Sequence, residues 1–552
     1  AALESAGVIG CMPNIPANRL SAQFDLAGPA FTVQAGAESG VQALRIACRA
    51  LANDEIDAAL VGAVDLCCEP VTRAAGHRDP ADAAVAMVLK RLADAERDGD
   101  RIYAVLDEDG DPVGNEPFHD AIAADVRARL GDAGAAHGLL QIASAALCLH
   151  HRRRPDGRPW LSATPRALNW PLRGDQPLRM QESWCAPRRG EAMQPRLHVY
   201  AGHDRAAVIA AVAAKQEGGA GPARLVLVAR DDEFDGVRER ALAHLRDGAP
   251  AGQAVHFRES PIGGEIAFAF AGAGAAYRGM GADLFTQLPQ LANALAVRSR
   301  KLATALDWAW ADEASEPSVR QQLWGASALS QLHVELSTGV LGLRADAWLG
   351  YSSGETNALV GAGIWRDADA LMDAMDESRL VSHWLGGTFA SIAAQWQRPV
   401  QWASWNVAAP LDEVRAAIAD LAQVHVAIIN GDADCLIAGD ARACATAIAR
   451  IGAARCLRLD YPLAVHVPEL AAVAPDWLQL HRREVHAPRS GRIYSNAFGR
   501  AYAPASETCA RAILEQADRC LDLRPVVLQA WNDGVRVFIE HGPGGSFARV
   551  LR

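Results

Sequence analysis

Gly350-Tyr351-Ser352-Ser353-Gly354 is the only GxSxG run in this chain of 552 residues. A short apolar run at 347–349 precedes it and a helical pattern follows. Small residues two positions either side of a serine allow the tight strand-to-helix turn that exposes its hydroxyl. The helix start then offers backbone N–H groups and a positive dipole end to an oxyanion. The chemistry this suits is attack on an acyl carbonyl, and it needs a base. Sixteen histidines are available. His466, in Tyr461-Pro-Leu-Ala-Val-His466-Val-Pro, ends a β-prone stretch; His541, in Glu540-His541-Gly542-Pro543-Gly544, flanks a tight turn. The residues alone leave both open.

The elements that must position these groups are read from periodicity. Residues 1–115 read as α/β, with a helix over 40–53 and buried-strand patterns at 56–66 and 84–89. A helix covers 135–150. Residues 152–196 are rich in Arg, Pro and Trp without period, and read as an extended linker packed on a neighbour. Two β-α pairs follow, at 197–215 and 224–246, as a small linker domain. From 265 a buried strand is followed by mostly helical patterns up to 396. A β-α-β-β-α-β series then occupies about 400–462, the order of a ferredoxin-like subdomain. The expected domains are 1–151, 152–260 and 261–552.

Composition narrows the class. Lys and Arg number 54 against 65 Asp and Glu, a net charge of −11. An acidic chain of this kind is not built to wrap nucleic acid. No apolar run is long enough to span a bilayer. The opening residues lack a signal-peptide pattern, and the missing initiator Met suggests a piece of a longer polypeptide. The 11 cysteines are scattered with no CxxC pair, which suits reduced thiols and a cytoplasmic location and gives no metal-ligand spacing. Only three lysines occur, Lys90, Lys215 and Lys301.

Five ordered motifs over residues 265–552 carry a family resemblance. Phe268-Ala-Phe270-Ala-Gly272-Ala-Gly274-Ala-Ala-Tyr277-Arg-Gly279-Met-Gly281 resembles the FxFPGQGxQxxGMG opening of malonyl/acyl transferase domains. Residues 350–355 resemble their GHSxGE. Asn430-Gly431 with Ala438-Gly439-Asp440 resembles NGP…SGD. His466 falls at the family's catalytic histidine, and Phe538-Ile-Glu540-His-Gly542-Pro543-Gly544 resembles FxEVGPG. The resemblance implies an α/β-hydrolase-like acyltransferase core with a ferredoxin-like subdomain and ping-pong acyl transfer. Ser352 would take the acyl group and His466 would be base and acid. The backbone N–H groups of Ala273 and Ser353 would form the oxyanion hole. A backbone carbonyl near Leu521 would orient the histidine. No bound cofactor or metal is implied; the phosphopantetheine of an acyl carrier protein, or CoA, would deliver or receive the acyl group.

Three departures bear on substrate. Tyr351 replaces the family's His before the nucleophile. Leu463-Ala-Val-His466 replaces HAFH and YASH. The family's carboxylate-clamping Arg lies 25 residues after the Ser, a position held by Glu377, with Arg379 two residues on. Glu377 would repel malonyl, so an uncharged acyl group is expected. Residues 351–357 with Leu385-Gly-Gly-Thr-Phe389 are most similar to the acyltransferase of bacterial polyunsaturated fatty acid synthases.

Residues 1–151 resemble an incomplete thiolase-like ketosynthase domain of the chain-length-factor kind. Asn18-Arg-Leu-Ser21 and Gly28-Pro29-Ala-Phe-Thr-Val33 resemble the lead-in to the ketosynthase nucleophile, but Ala37 stands in the place of its Cys. Gly131-Asp132-Ala-Gly-Ala-Ala-His-Gly138 resembles GHxxAAxG with Asp132 for its His, and the motif's Lys is absent. The resemblance implies a domain that does not condense but pairs with an active ketosynthase within a polyketide or fatty acid synthase. Three rival functions stay open: hydrolytic release of acyl product by the same dyad, malonyl loading, and a non-catalytic scaffold.

Overall fold

The computed structural model describes residues 12–68, 70–74, 79–107, 118–158, 160, 166–171, 177–183, 195–310 and 316–551. The chain divides into two compact units, Ala1–Pro261 and Ile262–Arg552.

Among the described residues, the first unit holds two hydrophobic cores. In one, the helices Ser39–Ala52 and His137–His151 pack on an antiparallel pair of strands, Ala58–Leu66 and Asp82–Lys90, in register from Ala58↔Lys90 to Leu66↔Asp82. Val41, Leu44 and Leu51 recur at helical spacing and are buried, as such a face requires. Strands Ala167–Trp170 and Leu178–Gln181 join Val105–Asp107 in a three-stranded sheet, and Leu168, Trp170, Leu178 and Met180 enter the same core. This packing runs past the expected boundary at 151 and makes part of the expected linker into core. Its inner end is fixed by a buried ion pair, Arg166 Nη1 donating to both Glu182 oxygens at 3.0 Å. The other core lies between helices Arg205–Ala213 and Phe234–Asp247 and the antiparallel strands Arg196–Gly202, Ala223–Ala229 and Val255–Arg258.

The second unit is built on a five-stranded sheet ordered Arg500–Tyr502, Arg492–Ser495, Ala347–Gly350, Glu265–Phe270, Val535–His541. The last four run parallel. Parallel neighbours need long crossovers, and the helices between residues 282 and 335 supply the one from Phe270 to Ala347. A ferredoxin-like sheet follows, ordered Cys456–Leu459, Trp402–Val407, Asp434–Asp440, Val424–Gly431, antiparallel throughout. Helices Leu411–Ile418 and Ala441–Ile451 cover it, burying Val414, Ala447 and Ile448. Leu521–Asp522 adds a parallel edge to this sheet at Ile428 and Ile429. Among the described residues, no helix is long and apolar enough to cross a membrane.

Candidate active site

Strand Ala347–Gly350 and helix Ser353–Gly361 meet in a turn with no room to spare. A Cβ on Gly350 would sit 2.0 Å from the Gly354 carbonyl carbon, and one on Gly354 would sit 2.2 Å from the Phe270 oxygen. Ser352 lies between them at φ 57°, ψ −121°, a region a non-glycine residue occupies only when its surroundings force it. Glu355 braces the turn from behind. It is buried, and its Oε2 accepts from the Asn496 N–H at 3.1 Å and Nδ2 at 2.9 Å. Asn496 Nδ2 also donates to the Gly350 carbonyl at 2.7 Å. Burial without a cationic partner pushes the Glu355 carboxyl up to about 7.

The Ser352 hydroxyl lies 2.7 Å from His466 Nε2. His466 Nδ1 lies 2.6 Å from the Gln516 carbonyl oxygen, and the His466 backbone N–H donates to the Ala517 carbonyl at 2.6 Å. A carbonyl can only accept, so Nδ1 carries the proton and Nε2 is free to accept from Ser352. The Gln516 side chain reaches the other partner, its Nε2 donating to the Ser352 carbonyl at 3.3 Å. Burial pushes the His466 imidazole down to about 4, the carbonyl opposing only in part. The resting dyad is therefore a hydroxyl and a neutral imidazole, ready to accept a proton.

A cavity of about 60 Å³ opens on this pair. Its walls include Leu323, Trp324, Leu371, Met375, Val381 and Leu463, and among the described residues no lysine or arginine lines it. The Ala273 N–H, next to the nucleophile turn, donates to Ser353 Oγ at 2.9 Å.

The parallel-sheet core with its inserted ferredoxin-like sheet also occurs in solved proteins. The acyltransferase domain of SpnD in complex with 2-(pent-4-yn-1-yl)malonyl matches with a TM-score of 0.51 at 20% identity, over 65% of this chain and 87% of that one. The acyltransferase domain from module 8 of the salinomycin polyketide synthase matches with a TM-score of 0.50 at 19% identity, over 65% and 87%. Residues 2–95 match the family model of the beta-ketoacyl synthase N-terminal domain. This chain joins a ketosynthase-like segment to an acyltransferase fold. Curated relatives include polyketide synthases. The highly reducing polyketide synthase ntnH of Nectria sp is 37% identical over 23% of this chain and 6% of its own length. A phenolphthiocerol/phthiocerol polyketide synthase of Mycobacterium tuberculosis is 24% identical over 84% of this chain and 31% of its own. The chain thus spans less than a third of either.

Within the acyltransferase fold, the residues expected to set selectivity scatter. Leu463 lines the cavity. Tyr351 does not; its ring packs against Gly272, and its hydroxyl reaches Asn430 of the ferredoxin-like sheet. Burial raises that phenol above its ordinary range. Glu377 and Arg379 also stay outside the cavity, both exposed at the end of helix Ala368–Ser378. That helix turns Leu371 and Met375, four residues apart, into the cavity. Glu377 follows Met375 by two residues, about 200° further round, so the count of 25 lands on the solvent face. The carbonyl that orients His466 belongs to Gln516, not to the neighbourhood of Leu521, which sits in the edge strand of the ferredoxin-like sheet. His541 takes no part in the dyad: its Nε2 meets Ser337 Oγ at 3.0 Å and its Nδ1 the Ile539 carbonyl at 2.9 Å, in a fully buried setting.

Sequence reasoning missed Met375, Leu371, Trp324 and Gln516. The i, i+4 apolar face of residues 368–378 could have revealed the first two; Gln516 carried no signal beyond its place in a helix.

In the ketosynthase-like segment, Ala37 is exposed in a single 3₁₀ turn, Gly36–Glu38, that packs beside the turn Gly134–Ala136. Asp132 accepts from the Gly134 N–H at 3.2 Å. The two departures from the ketosynthase pattern thus lie in neighbouring stretches. The three lysines pair with Asp98 and Asp100, with Asp235, and with Asp373, and none lies at either site.

Proposed function

We propose that the second unit transfers an uncharged acyl group between thioesters through an acyl-enzyme on Ser352, as part of a polyketide or polyunsaturated fatty acid synthase. One observation carries the substrate class: the cavity at Ser352 is walled by Leu371, Met375, Val381 and Leu463 and, among the described residues, holds no cation to meet a carboxylate. A malonyl carboxylate taken into such a site without a partner would lose its hydration uncompensated.

The steps follow from the dyad. His466 Nε2 takes the Ser352 proton as Oγ bonds to the thioester carbonyl carbon. The oxyanion is received by the backbone N–H groups of Ala273 and Ser353. The C–S bond breaks, and His466 protonates the departing thiolate of CoA or of an acyl carrier protein's phosphopantetheine. An acceptor thiol then gives its proton to His466, attacks the acyl-enzyme and releases Ser352 Oγ, which recovers the proton. The ketosynthase-like segment, with Ala37 in the nucleophile's place and Asp132 in the histidine's, is non-catalytic and pairs with an active ketosynthase.

Mass spectrometry of the intact protein and of its Ser352 peptide tests this reading. Incubation with octanoyl-CoA should give an octanoyl adduct on the Ser352 peptide that is absent from Ser352→Ala. An adduct from malonyl-CoA alone would overturn the substrate class, and no adduct from any acyl donor would overturn the reaction. Release of free octanoate faster than transfer to an acyl carrier protein would make the site a thioesterase.

A further inference from the structure

Two backbone donors flank the nucleophile, and one is already engaged. Ser353 opens the helix Ser353–Gly361, so its N–H has no acceptor within the helix. The Ala273 N–H, by contrast, donates to Ser353 Oγ at 2.9 Å. Ala273 cannot swing to another acceptor. It is buried and begins a 3₁₀ turn closed by Ala275 N–H to Gly272 O and Ala276 N–H to Ala273 O. Gly272 before it is pressed against Tyr351. The movable partner is the Ser353 hydroxyl, which turns about one side-chain bond.

We propose that Ser353 is a gating residue: its hydroxyl occupies the Ala273 N–H in the resting enzyme and must be displaced before that donor can serve the acyl oxygen. This rests on the reading of Ser352 as the acyl-accepting nucleophile. A hydrogen bond is strong only when the N–H points nearly straight at its acceptor, so the hydroxyl and the acyl oxygen compete for the Ala273 hydrogen. A thioester carbonyl is a neutral acceptor and competes with the hydroxyl on near-equal terms. The oxyanion is charged, and charge-assisted bonds are about twice as strong. The gate therefore opens chiefly as negative charge develops, and the donor contributes to the transition state more than to substrate binding. Removing the hydroxyl frees the donor at every stage.

The test is the rate at which an alkyl fluorophosphonate labels Ser352. In that reaction the Ser352 Oγ–P bond forms, the P–F bond breaks, fluoride leaves, and the Ser352 proton passes to His466. The phosphoryl oxygen takes the oxyanion's place. Wild type, Ser353→Ala, Ser353→Gly and Ser353→Thr are compared for the saturating rate, the half-saturating probe concentration and the pH midpoint. Ser353→Ala and Ser353→Gly should label about five-fold faster, the value of one net hydrogen bond. Ser353→Thr, which keeps the hydroxyl, should lack that gain and label several-fold more slowly than Ser353→Ala. The pH midpoint should stay fixed, because His466 is untouched. Equal or slower labelling of the Ala and Gly variants would overturn the gate, as would unfolding of both, which would make the contact structural. Absence of labelling in wild type would instead overturn the Ser352 reading, and the gate with it.

Discussion

The carbonyl of Gln516 lies 2.6 Å from His466 Nδ1. The partner is a neutral carbonyl rather than a carboxylate, and this shapes the chemistry. A carboxylate would stabilise the imidazolium and raise its affinity for a proton. A carbonyl fixes the tautomer and leaves desolvation in charge, so the imidazole stays neutral well into acid. The same residue's side chain holds the Ser352 carbonyl. Gln516 therefore touches both partners, its carbonyl fixing the base's tautomer and its amide holding the nucleophile's backbone.

His466 is held at about 4, so the base is deprotonated from neutrality down to about pH 5. Acylation of Ser352 at subsaturating acyl-CoA should be flat over that range and fall only as pH approaches 4. Stopped-flow acylation rates against pH check this. An acid limb centred near 6.5, the ordinary value for histidine, would show that the imidazole is not desolvated in solution.

Gln516→Ala keeps the backbone carbonyl and removes the amide. The Ser352 carbonyl loses one donor, a net hydrogen bond of about 1 kcal/mol. The expected result is a fall of about five-fold in kcat, the value of one net hydrogen bond. The pH midpoint should stay where it is. A shift of the midpoint towards 6.5 would instead mean that the amide, and not the carbonyl, controls His466.

Glu355 makes stability depend on pH with a definite sign. Its carboxyl sits at about 7 in the fold against an ordinary 4.5. Between those values the folded chain holds a proton that the unfolded chain has lost, so stability falls as pH rises through the window and levels off above it. Glu355→Gln cannot titrate and should remove this slope, a difference on the order of 1–3 kcal/mol across the window. Urea denaturation of both proteins between pH 4.5 and 7.5 measures it. Buried His466 and His541, each pushed down to about 4, slope the opposite way below 6.5, so the difference between the two curves isolates the glutamate.

What the sequence made legible follows the range of the signal. Ser352 stands in a five-residue motif whose glycines are needed because backbone meets backbone there, and His466 stands in a run that the family resemblance picks out. The structure sets the two 2.7 Å apart. The ferredoxin-like sheet was readable because its apolar strand runs and its two helices, each with one apolar face, follow in the β-α-β-β-α-β order. The strands Ala167–Trp170 and Leu178–Gln181 were not, since four residues set among Arg and Pro give no period to count. Glu377 misled because an ungapped count carries no information about helical phase. The engagement of the Ala273 N–H by Ser353 depends on two residues 80 apart and on one side-chain rotamer, which no linear pattern encodes.

That helical phase can be tested directly. Met375 and Leu371 face the cavity from helix Ala368–Ser378, whereas Glu377 faces solvent. An arginine at position 377 should leave donor choice unchanged, because its guanidinium would stay in water, where an ion pair is worth at most about 1 kcal/mol. An arginine at position 375 would place the cation inside, where a carboxylate could be met by two parallel hydrogen bonds. Met375→Arg should therefore lose octanoyl transfer by about ten-fold or more and gain a malonyl adduct on Ser352, while Glu377→Arg does neither. Competition assays with equimolar octanoyl-CoA and malonyl-CoA, read by mass spectrometry of the Ser352 peptide, separate the two. A buried cation without substrate is destabilising, so the Met375→Arg protein should melt lower and regain part of the loss when malonyl-CoA is added. Malonyl selectivity appearing in Glu377→Arg instead would mean that the helix turns in solution to bring its outer face inward, and the apolar wall assigned to Leu371 and Met375 would have to be given up.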